Sequence, residues 1–261
     1  MIDLHCHILP GIDDGPSTLE ESLAMCRIAA ADGIGTIVAT PHFRPGRFTA
    51  SPRQITESIA ALKTAVRKDG LDLRILPAAE VSVSPELPRY LETDAQLTIN
   101  GGGRFFLAEL PPDAVLPRWD SFLLSMRESG KTPILAHPER NAWFRSHPEA
   151  LYSFVQRGGM VQITASSLTG DWGEDARDLS LLLLEHNLAH IIGSDAHNSG
   201  HRAPVLSAAV STAGQVIGRE RAVALVSAIP WAIIEGAAVS LAEPVPTMQS
   251  RKKRKFFSLF S

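Results

Sequence analysis

Short apolar runs that end in polar residues recur along the chain, near 2–6, 35–40, 73–80, 104–109, 132–137, 160–164 and 189–194. Runs of this length predict strands. Helical periodicity fills most of the intervals between them. Ser17-Thr18-Leu19-Glu20 reads as a capping box ahead of Leu23, Met25, Ile28 and Ala29, with Gly33 as the stop. Ser51, Pro52 and Gln54 open a second helix that ends near Gly70. Residues 119–128 stop at Gly130, residues 148–157 stop at Gly158-Gly159, and 174–187 form a further amphipathic stretch. Seven strands with helices mostly between them predict parallel pairing and right-handed crossovers. The expected fold is α/β, a closed or nearly closed (β/α)7 barrel, with an open doubly wound sheet as the alternative. Asn100-Gly101-Gly102-Gly103 is a turn without a following helix and is not read as a phosphate loop.

Composition narrows this picture. A chain of 261 residues with 44% hydrophobic content suits one barrel-sized domain. Neither an internal repeat nor a linker interrupts 1–243, so that span is read as the domain. A net charge of -3 gives no general attraction to nucleic acid. Cys6 and Cys26 make no disulfide framework, which suits a reducing cytoplasm. No basic n-region with an apolar core marks a secretory signal, and no run reaches the ~18 apolar residues of a membrane helix. Residues 244–261 read as a flexible tail, with Pro244, Pro246 and Gln249 leading to Arg251-Lys252-Lys253-Arg254-Lys255 and then Phe256, Phe257, Leu259 and Phe260. Such a tail is ordinarily solvated. Basic residues beside aromatics over 251–260 also suit weak contact with an anionic membrane, at about 1 kcal/mol per basic residue.

The strand ends carry the candidate chemistry. His5 and His7 alternate with Cys6, so on a strand the two imidazoles share a face. His42 follows the second strand, Glu80 ends the third, Glu109 the fourth and His137 the fifth, while Asp195 and His197 end the seventh. In a parallel barrel these ends share one rim, where barrel enzymes place their chemistry. Asp14, in the loop after the first strand, completes a set of nine: His5, His7, Asp14, His42, Glu80, Glu109, His137, Asp195 and His197. One zinc needs three or four protein ligands, so nine suggest two or three ions with a carboxylate such as Glu80 shared. Mixed imidazole and carboxylate donors suit zinc, manganese or iron. Three divalent ions against the four carboxylates of this set and a hydroxide leave a charge of roughly +1, which favours an oxygen-rich anion such as a phosphate ester.

The segments HCHILPGIDDGP, TPHF, AAE, HPERN and SDAHN resemble the PHP (polymerase and histidinol phosphatase) superfamily. DDGP, HPERN and GSDAHNSGHR resemble its bacterial branch of manganese-dependent capsule and exopolysaccharide tyrosine phosphatases, over Met1 to about Glu235. The resemblance implies a distorted seven-stranded β/α barrel with three divalent metal ions, manganese before iron or zinc. It implies a phosphotyrosine protein substrate, the cytoplasmic tail of a membrane-associated exopolysaccharide tyrosine autokinase. By position, His5, His7 and Asp195 would hold one metal, with Glu80 bridging to a second completed by Glu109 and His137. Asp14, His42 and His197 would hold the third. Arg140 and Arg202 match arginines that grip the phosphate, a role suited to paired guanidinium donors. Without the resemblance, Arg140 would be expected to pair with Glu139 at the surface.

A phenolate leaves with little protonation, although His42 or a neighbour could supply a proton. Six residues after Cys6 stands Ile12, and after Cys26 Asp32, so the cysteine-phosphatase spacing to an arginine is absent. A small-molecule phosphatase of the histidinol-phosphate type or a PHP phosphodiesterase would share the same ligands. A metal-stabilised binding module is the non-enzymatic reading. His147, His186 and His190 lie outside the strand-end pattern and read as surface or satisfied residues. His201 reads as exposed, and Asp3 as either exposed or hydrogen-bonded to a ligand histidine.

Overall fold

A computed structural model describes residues 1–111 and 115–247. Its strands, in chain order, are β1 Ile2–Cys6, β2 Thr36–Ala39, β3 His42–Phe43, β4 Arg74–Pro77, β5 Glu80–Ser82, β6 Phe105–Glu109, β7 Thr132–Ala136, β8 Met160–Thr164 and β9 Ile191–Gly193. They form two sheets, β1-β2-β4 and β3-β5-β6-β7-β8-β9. Every pairing between these strands is parallel. The free edge of β1 meets the end of β9: Cys6 bridges Ala196, and Asp195 N donates to His5 O at 2.8 Å. The result is a curled parallel sheet in a mixed α/β domain, as the alternation of elements predicts.

The second and third expected strands are each split, at 40–41 and 78–79. Pro41 has no N–H to give to a ladder, and Pro77 closes β4. The hydrogen bonds continue across the breaks. Thr40 N donates to Cys6 O at 3.0 Å, Ala78 N to Ala39 O at 2.9 Å and Glu80 N to Pro41 O at 3.0 Å. Seven arms therefore remain, two of them bent. The bend brings His42 and Glu80 into direct register as the first pair of β3 and β5.

Period-two alternation sorts side chains into two apolar layers. Phe105, Leu107, Ile134 and Ala136 join Leu4, Val38, Leu76 and Ile191 in one. Phe106, Ala108 and Leu135 pack with helix residues Met25, Leu62, Leu123, Phe154 and Leu183 in the other. The Ser51–Gln54 capping box forms as expected on the helix Pro52–Lys68. The first helix, Leu19–Ala31, is capped one residue later than expected: Glu21 N donates to Thr18 Oγ1 at 3.2 Å. Ser17/Glu20 and Thr18/Glu21 have the same spacing; Thr18 takes the cap, and the Glu21 carboxylate accepts from Ser17 N at 3.3 Å.

Beyond the expected domain end, Asn187 Nδ2 donates to Glu243 O at 2.7 Å and Val245 N to His186 O at 2.8 Å. Residues 243–247 thus lie against the end of the helix Glu174–Glu185. The basic and aromatic segment 251–260 lies outside the described residues. Among the described residues no helix is long and apolar enough to cross a membrane.

Candidate metal and phosphate site

All nine candidate donors meet at the carboxyl-terminal rim of the curled sheet. His5 Nε2 and His7 Nε2 face each other at 3.1 Å. Glu80 lies at the centre: Oε1 is 2.7 Å from His137 Nε2 and 3.5 Å from His5 Nε2, while Oε2 is 3.4 Å from His7 Nε2 and 2.9 Å from His42 Nδ1. Asp195 Oδ1 is 3.3 Å from His5 Nε2 and 3.4 Å from His7 Nε2. Asp14 Oδ1 is 3.5 Å from His42 Nε2 and 3.4 Å from His197 Nε2. Glu109 Oε2 is 3.7 Å from His42 Nδ1.

Four overlapping groups have all their donor atoms within 4.8 Å: His7/Asp14/His42/His197, His5/His7/Glu80, His5/His137/Asp195 and His42/Glu80/Glu109. The expected trio of Asp14, His42 and His197 falls in one group. Glu109 and His137 fall in different groups, and Glu80 touches the histidine of each.

This donor set fits divalent cations. Imidazole nitrogens and carboxylate oxygens converge without thiolate. His42 Nδ1 and Glu80 Oε2 approach to 2.9 Å, and both are buried without a hydrogen-bond partner. Buried polar atoms left in that state are costly and call for a ligand. Burial would raise the Glu80 carboxyl, but His5 and His137 outweigh it and hold it well below the usual range. Asp195 behaves likewise, with burial overcome by Arg140 and His5. Asp14 is lowered chiefly by its hydrogen bond with His197. Burial and Arg140 push His137 down to about 4, leaving a neutral imidazole able to ligate.

The backbone holds two donors in an unfavourable conformation. His137 has φ 33° and Asp195 has φ 51°, both in the left-handed region that side chains other than glycine avoid. Elsewhere space is the constraint: a Cβ on Gly193 would stand 2.9 Å from His5 Cβ, so the approach of β9 to β1 requires glycine there.

Arg140 and Arg202 both reach Asp195. Arg140 Nη1 donates to Oδ2, and Arg202 Nη2 donates to Oδ2 at 2.8 Å and to the Asp195 carbonyl at 3.0 Å. Arg140 does not pair with Glu139, which is buried and accepts from Thr164 N and Ser167 Oγ.

Three residues escaped the sequence reading. Asp13 Oδ2 lies 2.6 Å from His7 Nδ1 and accepts from His42 N at 2.8 Å, so it orients two donors at once. Gln162 Oε1 lies 2.9 Å from His5 Nδ1 and comes from β8, the arm with no expected ligand. A buried glutamine in the apolar run Met160-Val161-Gln162-Ile163 is the signal that marks it. Arg44 Nη2 donates to Glu109 Oε2 at 2.9 Å. Asp3 is buried and binds the His5 and Ser194 amides and the Ser194 hydroxyl rather than an imidazole.

The discounted histidines stay apart from the cluster. His147 stacks on Trp143, His186 Nδ1 lies 3.2 Å from Val245 O, and His201 is exposed. His190 is neither at the surface nor fully satisfied: Nδ1 accepts from Val161 N at 3.0 Å, and Nε2 is buried without a partner. Burial lowers its pKa to about 4 and keeps it neutral.

A family model described as capsular polysaccharide synthesis, CpsB/CapC, matches residues 1–235. The chain belongs to the CpsB/CapC family. Within that family, the tyrosine-protein phosphatase YwqE of Bacillus subtilis (strain 168) is 34% identical over 264 residues, covering 100% of both chains. The tyrosine-protein phosphatase CpsB of Streptococcus agalactiae is 30% identical over 227 residues, 85% of this chain and 93% of that one. A crystal structure from work on YwqE of B. subtilis and CpsB of Streptococcus pneumoniae, described as unique metal-dependent tyrosine phosphatases, matches with TM-score 0.89 and 33% identity, covering 94% of this chain and 99% of that one. Beyond CpsB/CapC, histidinol phosphate phosphatase from Lactococcus lactis matches with TM-score 0.53 and 14% identity over 95% of this chain and 98% of that one, a likeness of fold alone.

Proposed function

We propose that this chain is a metal-dependent protein-tyrosine phosphatase. The observation that carries the reading is the convergence of nine imidazole and carboxylate donors beside two arginines, in a chain matched end to end by a tyrosine-protein phosphatase. We assign three divalent cations, manganese foremost. His5, His7 and Asp195 would hold the first, Glu80 with Glu109 and His137 would hold the second, and Asp14, His42 and His197 would hold the third. When bound, such cations bring the pKa of water towards neutrality and offset charge on a transferring phosphoryl group. The substrate is the phosphotyrosine tail of a membrane-associated tyrosine autokinase of capsule or exopolysaccharide synthesis, met at the cytoplasmic face.

Arg140 and Arg202 supply the phosphate grip. Each spends one guanidinium nitrogen on Asp195 and retains further N–H donors for phosphate oxygens. Arg140→Ala removes one such donor pair, and kcat/KM on a phosphotyrosine peptide is expected to fall about 100-fold. A change under about threefold would remove Arg140 from this role. His42 faces carboxylates with both ring nitrogens, at 2.9 Å and 3.5 Å, which supports cation binding over proton donation to the leaving phenolate.

Small-molecule phosphomonoesters are the second reading, because the fold is shared with histidinol phosphate phosphatase. Steady-state comparison decides between them. The phosphotyrosine peptide is expected to give the higher kcat/KM, and a preference for histidinol phosphate would reverse the assignment.

A further inference from the structure

We infer that Trp172 is the residue that selects an aromatic phosphoester, by stacking on the ring that carries the phosphate; this rests on the phosphatase reading. The indole stands over both arginines of the phosphate grip, with the guanidinium carbon of Arg140 at 4.5 Å and that of Arg202 at 5.6 Å from the ring centroid. It is 43% exposed, among the most exposed of the large apolar side chains described.

The loop presents this indole in a fixed pose. Gly170 and Gly173 flank it with φ of 97° and 86°. Asp171 N donates to Ser166 O at 2.9 Å, and Gly173 N to Gly170 O at 2.9 Å. The indole Nε1 itself donates to Ser166 Oγ at 2.9 Å. A pinned, solvent-facing indole beside charged groups is a recognition surface rather than part of the core.

Position then sets the ligand chemistry. A phosphate held by the N–H edges of Arg140 and Arg202 places whatever is esterified to it next to the indole. A cavity of about 360 Å³ lies on the Arg202 side of this loop, lined in part by Ser166, Asp171, His201 and Arg202 but not by the indole itself. A phenyl ring carried on that phosphate can stack on the exposed surface of the indole, whereas the short aliphatic arm of a phosphoserine offers almost no face to it. Aromatic pairs of this kind correspond to about a two- to tenfold preference.

The test compares wild type, Trp172→Ala and Trp172→Phe on two peptides that differ only in carrying phosphotyrosine or phosphoserine, with all proteins loaded with manganese. Trp172→Ala is expected to lower the phosphotyrosine-to-phosphoserine ratio of kcat/KM about five- to tenfold, mainly through KM, and Trp172→Phe to restore most of it. An equal fall on both peptides would mean that Trp172 only positions the arginines, and would overturn the inference. An unchanged ratio with an active wild type would overturn it alone. A wild type inactive on phosphotyrosine would remove the phosphatase reading, and this inference with it.

Discussion

Exhaustive chelation followed by desalting is expected to lower phosphate release from a phosphotyrosine peptide at least about 1000-fold, and added manganese to restore it. Two features make the effect this large. First, the bare rim is hostile to a phosphate dianion. Glu80, Asp195 and Asp14 are all held ionised by neighbouring histidines and arginines, and Asp195 offsets part of the charge of both guanidinium groups. Second, neither cysteine can substitute as the nucleophile. Cys6 and Cys26 are both buried, and burial raises their thiols, that of Cys26 to about 12. A thiol in that state supplies no thiolate at neutral pH. Water is left as the attacking group, and free water, with a pKa near 15.7, is a poor one. Malachite-green assay before and after metal restoration measures this directly. Activity that persists after complete metal removal, verified by elemental analysis, would end the metal-dependent reading.

Replacing Glu80 should have the next largest consequence. Its two oxygens lie within 3.5 Å of ring nitrogens on His5, His7, His42 and His137, drawn from three different arms. Glu80→Gln keeps the volume but removes the charge and one acceptor oxygen. The new amide points N–H donors at imidazole nitrogens that must stay free as ligands. We expect kcat/KM to fall at least about 1000-fold and bound metal to drop by at least one equivalent, with the circular dichroism spectrum unchanged. Full metal occupancy together with more than about a tenth of wild-type activity would show that Glu80 does not bridge cations.

Much of this arrangement could be read in the sequence because one regularity generated it. Apolar runs that end in histidine or acid place donors on one rim once the strands run parallel, as β1 to β9 do. The breaks in the second and third arms were less legible. His42 facing Glu80 across a restarted ladder depends on hydrogen bonds from Thr40, Ala78 and Glu80 that periodicity does not encode. Asp13, Gln162 and Arg44 were missed for a similar reason. Each acts by touching a donor 6, 157 or 65 residues away, and only the folded chain sets such contacts. The first helix cap slipped by one residue because two overlapping boxes satisfy the same rule.

His137 and Asp195 adopt backbone angles that glycine would accept freely, and each side chain there costs about 1 kcal/mol of folding free energy. At 195 the buried ion pairs with Arg140 and Arg202 offset that cost, so glycine there would leave two guanidiniums unpaired and destabilise the fold. At 137 the imidazole is neutral, so His137→Gly should relieve the backbone while removing a donor, and leave the chain inert.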